Sequence, residues 1–329
     1  MNTVDLDVVA VRGATVESRH RVHAVVVDHT ANMRLVAGDP ELVTFWRSCA
    51  KPFQVMPWVA SEGYAALGWG DDELALACAS HGGEPEHIAV AKKMLADADL
   101  DEGDLACGVH EPLSRRGVRL AERSGDALSR LHNNCSGKHA AMLAFARHNK
   151  WSLLGYEKRG HPVQRAMLNS VAEWSGVDEH RIPQAVDGCA AVTFALPLTA
   201  MALAFARLGR SFRNGDEIPA RIVASMLARP FLVGGTDRFD SVLMEETKGS
   251  ILSKVGAEGV HCISVPDESI GFAIKAEDGA IRAQYPAVLR LLQHLGHLPS
   301  NPGPRLAGFL RSPVLNTRGD EVGFITPAN

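Results

Sequence analysis

The sequence has no excess of positive charge. Its 329 residues include 34 Lys and Arg against 38 Asp and Glu, which gives a formal net charge of −4. A nucleic-acid-binding protein normally presents a clustered basic surface, so this class of function is not expected. The combination of low hydrophobicity and high net charge that marks disordered chains is also missing, since 46% of the residues are hydrophobic. We therefore expect a soluble globular protein with a large core.

Closely spaced cysteine pairs of the CxxC type are absent as well. The N-terminal segment MNTVDLDVVAVRG carries acidic residues where a signal peptide needs positive charge and a long apolar region. We therefore expect a cytoplasmic protein whose thiols stay reduced, so that each cysteine is either a core residue or a chemically active one. The six cysteines are Cys49, Cys78, Cys107, Cys135, Cys189 and Cys262.

One uncharged run, residues 188–206, is long enough to be considered as a membrane span. It contains Pro197 in its middle together with Thr193 and Thr199, and it lacks Trp or Tyr anchors at its ends. A helix that is apolar on all sides is expected at the centre of a large protein. The run therefore predicts a buried core helix over residues 190–208.

The chain shows no internal repeat, low-complexity tract or long linker. Patterns rich in β-branched residues predict strands at 20–28, 33–39, 251–256, 260–265 and 269–279. Helical patterns occur at 52–62, 72–79, 86–97, 137–148, 162–175, 190–208, 216–228 and 285–296. This order predicts one α+β domain over residues 1–329. We expect one antiparallel sheet from about residues 1–50 and 250–329, and a mainly helical lobe over about 51–249.

Ser48 and Lys51 form the first candidate site. At this spacing both side chains lie on one face of a helix, and Ser48 would be near the helix N-terminus, where N–H groups favour developing negative charge. Desolvation or a second cation lowers the pKa of a lysine, whose neutral amine can then accept a serine proton. A capping serine beside a solvated lysine has the same spacing, so the pair needs support from elsewhere in the chain.

Such support comes from the KVG segment at residues 254–256, on a predicted strand. SxxK at the start of a helix with KxG on a late strand is the paired signature of serine β-lactamases and penicillin-binding proteins. Ser80, in the segment CASHGGEPEH, is a second hydroxyl. It is either a nucleophile or proton relay, with His81 or Lys254 beside it, or simply the end of a helix before a glycine turn.

Cys135, Lys138 and Cys189 form a candidate metal site. Cys135 is expected near the start of a helix, where the helix dipole favours the thiolate, and Lys138 lies one turn further along the same face. Two thiolates suit zinc, whereas a lysine ligand must first lose a proton, which couples binding to pH. Two core cysteines are the alternative interpretation of this pattern.

Taken together, these residues resemble the type II L-asparaginase family represented by the rhizobial, thermolabile enzyme. The most specific matches are NCSGKHA at residues 134–140 and DGC at 187–189. The remaining matches are VES-H at 16–20, RSCAKPFQ at 47–54, SHGGE at 80–84 with His87, GTDRFD at 235–240, KVGAEG at 254–259 and GFAIKAEDG at 271–279.

The resemblance implies a β-lactamase-like fold, a homodimer, and hydrolysis of L-asparagine to L-aspartate and ammonia. It implies that Ser48 is the nucleophile and Lys51 its base. A second Ser–Lys tandem would consist of Ser80 and Lys254, with Lys275 as the competing match for the lysine.

The resemblance also implies zinc, with Cys135, Lys138 and Cys189 as its ligands. Asp187 and His139 would then contact the substrate or support the metal ligands. The other four cysteines are expected in the core.

Three other functions fit the same residues. A glutaminase or another serine amidase would differ only in the size of its pocket. A β-lactamase or peptidase is less expected, because no export signal is predicted. A non-catalytic protein that binds zinc or an amino acid is the alternative from a different class, and the paired Ser48 and Lys51 argue against it.

Overall fold

A computed structural model describes residues 2–328. Its strands are β1 (Asn2–Thr3), β2 (Val8–Arg12), β3 (Thr15–His20), β4 (Val22–Asp28), β5 (Met33–Ala37), β6 (Val43–Phe45), β7 (Gln184–Val186), β8 (Val192–Pro197), β9 (Leu252–Val255), β10 (Val260–Val265), β11 (Ile270–Ala276), β12 (Ser312–Leu315) and β13 (Glu321–Pro327). Most of the helices lie between the first six strands and the last five.

The helices are α1 (Lys51–Val59), α2 (Glu62–Leu67), α3 (Asp71–Ala77), α4 (Pro85–Asp97), α5 (Arg115–Ser124), α6 (Ser136–His148), α7 (Pro162–Ser175), α8 (Leu198–Asn214), α9 (Glu217–Ala228), α10 (Pro230–Val233), α11 (Phe239–Glu246), α12 (Ile281–His294) and α13 (Pro304–Leu310). Short 3₁₀ turns occur at Arg47–Ala50, Glu102–Asp104, Arg130–His132, Glu179–Arg181 and Pro266–Glu268. The chain therefore has an α+β fold.

A six-stranded sheet in the order β1-β5-β4-β11-β10-β9 joins the two ends of the chain. All its pairs are antiparallel except β1 with β5. The central pair, β4 and β11, is buried along its whole length, with Val26 opposite Phe272 in the register. Strands that are buried on both faces read as continuous apolar runs, which explains why both segments were recognisable in the sequence.

The two faces of this sheet pack against different helices. Alternate residues point to opposite faces of a strand, so Val25 and Ala273 join the core shared with the helical segments, whereas Val26 and Phe272 join the core shared with α12. Helix α8 packs directly on β11. The two backbones are so close at Gly271 that a Cβ atom there would overlap the backbone of α8. The sheet is therefore a middle layer between two helical layers.

The helix predicted over residues 190–208 is wrong in its first half. Residues Val192–Pro197 form the strand β8, and α8 begins only at Leu198. Val192, Thr193 and Phe194 favour an extended backbone, and Pro197 has ψ of 150° at the N-cap of α8, which fits the absence of an N–H group to donate inside a helix. The run is buried as predicted. Within residues 2–328, no helix is long and apolar enough to cross a membrane.

The prediction of a single sheet is also wrong. A four-stranded sheet in the order β12-β13-β2-β3 uses four further strands from the two chain ends, and β6-β8-β7 form a third sheet. The third sheet lies partly inside the segment predicted to be helical. Two of its strands, β6 and β7, have three residues each and no buried side chain, so they carry little periodic signal.

Candidate active site

A cavity of about 300 Å³ lies where β9 ends and where the turn before α1 approaches it. Its wall comes from segments that are far apart in the sequence. The lining residues are Arg47, Ser48, Ser80, His110, Leu113, Asn133, Asn134, Cys135, Asp187, Gly188, Cys189, Arg238, Val255, Gly256, Ala257, Ile281 and Tyr285. Five residues that the sequence singled out therefore share one cavity, namely Ser48, Ser80, Cys135, Asp187 and Cys189.

Ser48 and Lys51 sit at the junction between the 3₁₀ turn Arg47–Ala50 and α1. Ser48 is partly exposed on the cavity wall, whereas Lys51 is only 1% exposed. Nζ of Lys51 donates hydrogen bonds to the carbonyl oxygen of Ala79 and, at 3.3 Å, to Oγ of Ser80. The backbone N–H of Lys51 donates to the carbonyl oxygen of Ser48, but among residues 2–328 no hydrogen bond joins the Ser48 hydroxyl to the Lys51 amine. The amine is directed towards Ser80 instead.

Ser80 follows α3 and is 3% exposed. Its backbone N–H donates to the carbonyl oxygen of Val233 at 3.0 Å, which fixes the segment. Nζ of Lys254 donates to Oγ of Ser80 at 2.9 Å, so two lysines converge on this one hydroxyl. Lys275 lies elsewhere, and its Nζ donates to the carbonyl oxygens of Ala276 and Glu277.

The charge state of Lys254 is set by its surroundings. Its side chain is 0% exposed, and Nζ lies 3.9 Å from Oδ2 of Asp240, whose side chain is 1% exposed. Burial lowers the pKa of Lys254 to about 8, the carboxylate of Asp240 opposes this shift, and the charge of Lys51 adds to it. A neutral amine is therefore accessible near physiological pH, as a general base requires.

The structure brings Cys135, Lys138 and Cys189 close together. Cys135 is the N-cap residue of α6, and Lys138 lies in the first turn. Nζ of Lys138 donates to Sγ of Cys189 at 3.1 Å. A hydrogen bond from Cys135 lowers the pKa of Cys189 to about 5. Burial would lower the pKa of Lys138, but the charge of Cys189 raises it above its ordinary value.

This cluster offers the donor atoms that a zinc ion requires, namely two sulfurs and one amine. Within residues 2–328, no three His, Cys, Asp or Glu side chains are close enough together to hold a metal ion. A metal in this position would therefore depend on Lys138 as its third ligand. Cys189 contacts both Cys135 and Lys138, and the two cysteines border the cavity, so the three residues fit the group.

Asp187 and His139 occupy different positions relative to the cavity. Asp187 lines it and accepts a hydrogen bond from Nε of Arg47 at 2.8 Å. Burial would raise the pKa of Asp187, but the charges of Lys138 and Arg47 lower it below its ordinary value. His139 is 0% exposed and bonds to the hydroxyl of Tyr156 at 2.7 Å through Nδ1. Its burial lowers the pKa to about 3, so the ring is neutral.

The four cysteines outside this cluster are buried, as expected of core residues, and all six in the chain are free thiols. Cys49 donates to the carbonyl oxygen of Lys254 at 3.0 Å. Sγ of Cys262 accepts a hydrogen bond from the indole of Trp46 at 3.3 Å. These contacts attach the turn that carries Ser48 to the sheet that carries Lys254.

His81 is not a partner of Ser80. Its Nδ1 accepts a hydrogen bond from the N–H of Gly83 at 3.1 Å, and its Nε2 lies 2.9 Å from Oγ of Ser136. The ring also stacks on His87, with centroids 5.0 Å apart. His81 therefore holds the loop after Ser80 against the start of α6.

Two residues of the site, Arg238 and Asp240, were not singled out from the sequence. Both lie in the matched segment GTDRFD, but nothing in their local pattern indicates a role. Arg238 lines the cavity, and its Nη1 donates to the carbonyl oxygen of Leu113 at 3.5 Å. In the part of the chain that the structure describes, no carboxylate forms an ion pair with Arg238, whereas the other cavity arginine, Arg47, is paired with Asp187.

Comparison with known proteins gives a family match over nearly the whole chain. The model of the family L-asparaginase II matches residues 8–327. A solved structure of Mglu in its glutamate form is 14% identical with a TM-score of 0.38, and the match covers 84% of this chain and 61% of that one. A structure of Mglu in its L-glutamate binding form in 4.3 M NaCl is 16% identical with a TM-score of 0.39, covering 84% of this chain and 60% of that one.

The chain thus spans about three-fifths of the length of these solved proteins. No curated protein matches it. The family match includes every segment that lines the cavity. The chain belongs to the L-asparaginase II family.

Proposed function

We propose that this protein hydrolyses L-asparagine to L-aspartate and ammonia by way of a serine ester. The observation that carries the proposal is the position of Ser80 Oγ, 3.3 Å from Nζ of Lys51 and 2.9 Å from Nζ of Lys254, at the wall of the cavity that Ser48 also lines. Membership of an asparaginase family supports an amidohydrolase. The arrangement also supports a β-lactamase-like fold in a single domain.

We assign the nucleophile to Ser48, because it is the more exposed of the two serines on the cavity wall. Ser80 is nearly buried, and its Oγ accepts hydrogen bonds from both lysines. The proton of Ser48 passes to Lys51, one helical turn further along, and the Ser80 hydroxyl relays a proton from Lys51 to the neutral amine of Lys254. Oγ of Ser48 then bonds to the amide carbon, the proton taken from Ser48 is returned by the same lysines to the amide nitrogen, the C–N bond breaks, and ammonia leaves. Water hydrolyses the ester and regenerates Ser48.

The substrate is a zwitterion, and the cavity offers one charged side chain for each end. The carboxylate of Asp187 suits the α-ammonium group, and the unpaired guanidinium of Arg238 suits the α-carboxylate in a bidentate hydrogen bond. His139 lies behind the wall, and we propose that it supports Lys138 from the adjacent position in α6.

Zinc, if bound, would be held by Cys135, Lys138 and Cys189. These residues would leave the ion accessible to the polar end of a substrate, where it would supply a fixed positive charge. The ammonium of Lys138 must lose its proton for this to occur. We also propose a homodimer, which light scattering of the purified protein tests directly.

Ammonia release measures the proposed activity. The wild type should release ammonia from L-asparagine, and Ser48→Ala should lose activity by several orders of magnitude, with an unchanged circular dichroism spectrum. Ser300→Ala is the matched control, because Ser300 is exposed and lies outside the cavity. Near-normal turnover by Ser48→Ala would refute the assignment of the nucleophile.

The same assay separates the alternative functions. Preferential hydrolysis of L-glutamine would indicate a glutaminase with the same machinery. Binding of L-asparagine without ammonia release, measured by calorimetry, would indicate a non-catalytic amino-acid-binding protein.

A further inference from the structure

A buried carboxylate lies behind Lys254, on the side away from the substrate cavity. Asp240 occupies the first turn of α11, and its Oδ2 is 3.9 Å from Nζ of Lys254. Neither side chain is more than 1% exposed. Charges removed from water at this depth are costly unless they are paired, so the carboxylate and the ammonium depend on each other.

The carboxylate of Asp240 is fixed by the residues on either side of Lys254. Oδ1 accepts a hydrogen bond from the hydroxyl of Ser253 at 2.7 Å, and Oδ2 accepts one from the backbone N–H of Val255 at 2.9 Å. His261 on the neighbouring strand places Nε2 2.9 Å from the Ser253 hydroxyl and 3.5 Å from Oδ1. Strand β9, which places Lys254 next to Ser80, therefore also holds the carboxylate of Asp240 in position.

Among the other groups around Lys254, Lys51 acts on its pKa in the opposite direction from Asp240. The charge of Lys51, from α1, disfavours a second cation, as does burial itself. Cys49 and Cys135 face Lys254 from the turn before α1 and the start of α6, and both thiols are held protonated because burial and neighbouring groups raise their pKa. His261 is buried with its pKa lowered to about 4, so it is neutral.

Asp240 is therefore the single carboxylate within 4 Å of Nζ of Lys254 among the described residues. The carboxyl group of Asp240 is itself ionised. Burial would raise the pKa of Asp240, but Lys254, His261 and the two hydrogen bonds lower it below the ordinary value.

We propose that Asp240 is a positioning residue that directs Nζ of Lys254 onto Oγ of Ser80 and sets the pH range in which Lys254 can accept a proton. The proposal rests on the amidase function proposed above. Asp240 itself does not line the cavity and touches no reacting atom.

Asp240→Asn tests this role, because the amide preserves size but removes the charge. The pKa of Lys254, about 8 in the wild type, should fall, since burial and Lys51 are then unopposed. The acidic limb of kcat/KM against pH should move to lower pH by about one unit or more, and kcat on the plateau should fall about tenfold because the amine loses its orientation. A purely structural role would lower activity at every pH without moving the limb.

Asp28→Asn is the matched control. Asp28 is also buried and accepts hydrogen bonds, from Thr30 and Asn32, but it is the last residue of β4, far from Lys254 in the sequence. This variant should be less stable than the wild type and should leave the acidic limb of kcat/KM at its wild-type pH.

Ser253→Ala is the second test variant. It keeps the charge of Asp240 and removes one hydrogen bond, so it should reduce kcat with the limb near its wild-type position. If the acidic limb of Ser253→Ala moved as far as that of Asp240→Asn, the proposal would be overturned.

A second measurement does not depend on turnover. The chain has nine lysines, so a 13Cε-lysine-labelled sample, with the Lys254 signal assigned from Lys254→Arg, reports the titration of this amine by NMR. Its midpoint should fall in Asp240→Asn and stay unchanged in Asp28→Asn. If the wild type releases no ammonia but the midpoint moves, the amidase function fails and the charge coupling holds. If the wild type is active and the midpoint does not move, the role of Asp240 is refuted.

Discussion

The hydroxyl of Ser80 lies 2.9 Å from Nζ of Lys254, although 174 positions separate the two residues in the chain. Nζ of Lys51 approaches the same oxygen from the other side. Two ammonium groups so close together repel each other, so loss of one proton relieves the repulsion. The geometry thus stabilises a neutral amine next to a serine, and several consequences can be measured.

The first prediction concerns the pH dependence of catalysis. In the proposed mechanism Lys254 accepts a proton only as the neutral amine, which predominates above its pKa of about 8. kcat/KM for L-asparagine should therefore fall as the pH drops below about 8 and level off above it. Lys254→Arg keeps the positive charge but cannot lose its proton, so this variant should be inactive at every pH. A profile that rises on acidification would contradict the role of Lys254.

The second prediction concerns recognition of the substrate carboxylate. Replacing Arg238 by Gln removes a charge-assisted hydrogen bond, so KM for L-asparagine should rise about 10- to 100-fold with kcat little changed. L-Asparaginamide, which lacks the carboxylate, should be turned over with similar efficiency by the variant and the wild type. Arg115→Gln is the control, because Arg115 lines an adjoining cavity with Arg238 but not the cavity of Ser48. An unchanged KM would place the carboxylate elsewhere.

The third prediction concerns zinc. Protein purified without chelators should contain about one zinc ion per chain by mass spectrometry, and the double variant Cys135→Ser/Cys189→Ser should lose it. Cys78→Ser/Cys262→Ser changes two buried thiols outside the cluster and should retain the ion. Full zinc content in the first double variant would mean that the metal binds at another place.

The fourth prediction concerns stability. A Cβ atom at Gly271 would overlap the backbone of Ala202 and Ala206 in α8, so Gly271→Ala should lower the free energy of unfolding by about 1–3 kcal/mol. Gly308, in α13, has no neighbouring atom within 4 Å of such a Cβ, and Gly308→Ala should be neutral or slightly stabilising. Urea unfolding of both variants measures the difference. Equal stabilities would show that α8 can move away from the sheet.

Much of the secondary structure could be predicted because its patterns are local. The helix over Pro162–Ser175 and the strand Val260–Val265 have the predicted bounds, since each has regular periodicity between clear breaking residues. The helix predicted in the run that begins at Gly188 was wrong in its first half because burial alone does not distinguish a core strand from a core helix. Pro197 was the signal that marked the boundary.

The candidate site was predictable where residue identity carries the chemistry. Serines, cysteines and lysines in specific short motifs indicate a shared site, and the structure places two of those serines and two of those cysteines on one cavity together with Asp187. Asp240 had no such signal, because a carboxylate on a helix is usually solvated. Its relation to Lys254 arises only from the packing of α11 against β9, which no local pattern contains.

The pairing of β4 with β11 has a consequence for how the protein is made. Val26 and Phe272 pair in the centre of the sheet, so a nascent chain cannot complete this layer until most of its length has left the ribosome. Lys51 and Lys254 can come close together only after that part of the chain has been synthesised. Contacts between such distant segments slow folding, and they leave the early strands in need of protection during synthesis. Two separately expressed halves, cut between the lysines, should be inert alone and regain amidase activity only on reassembly.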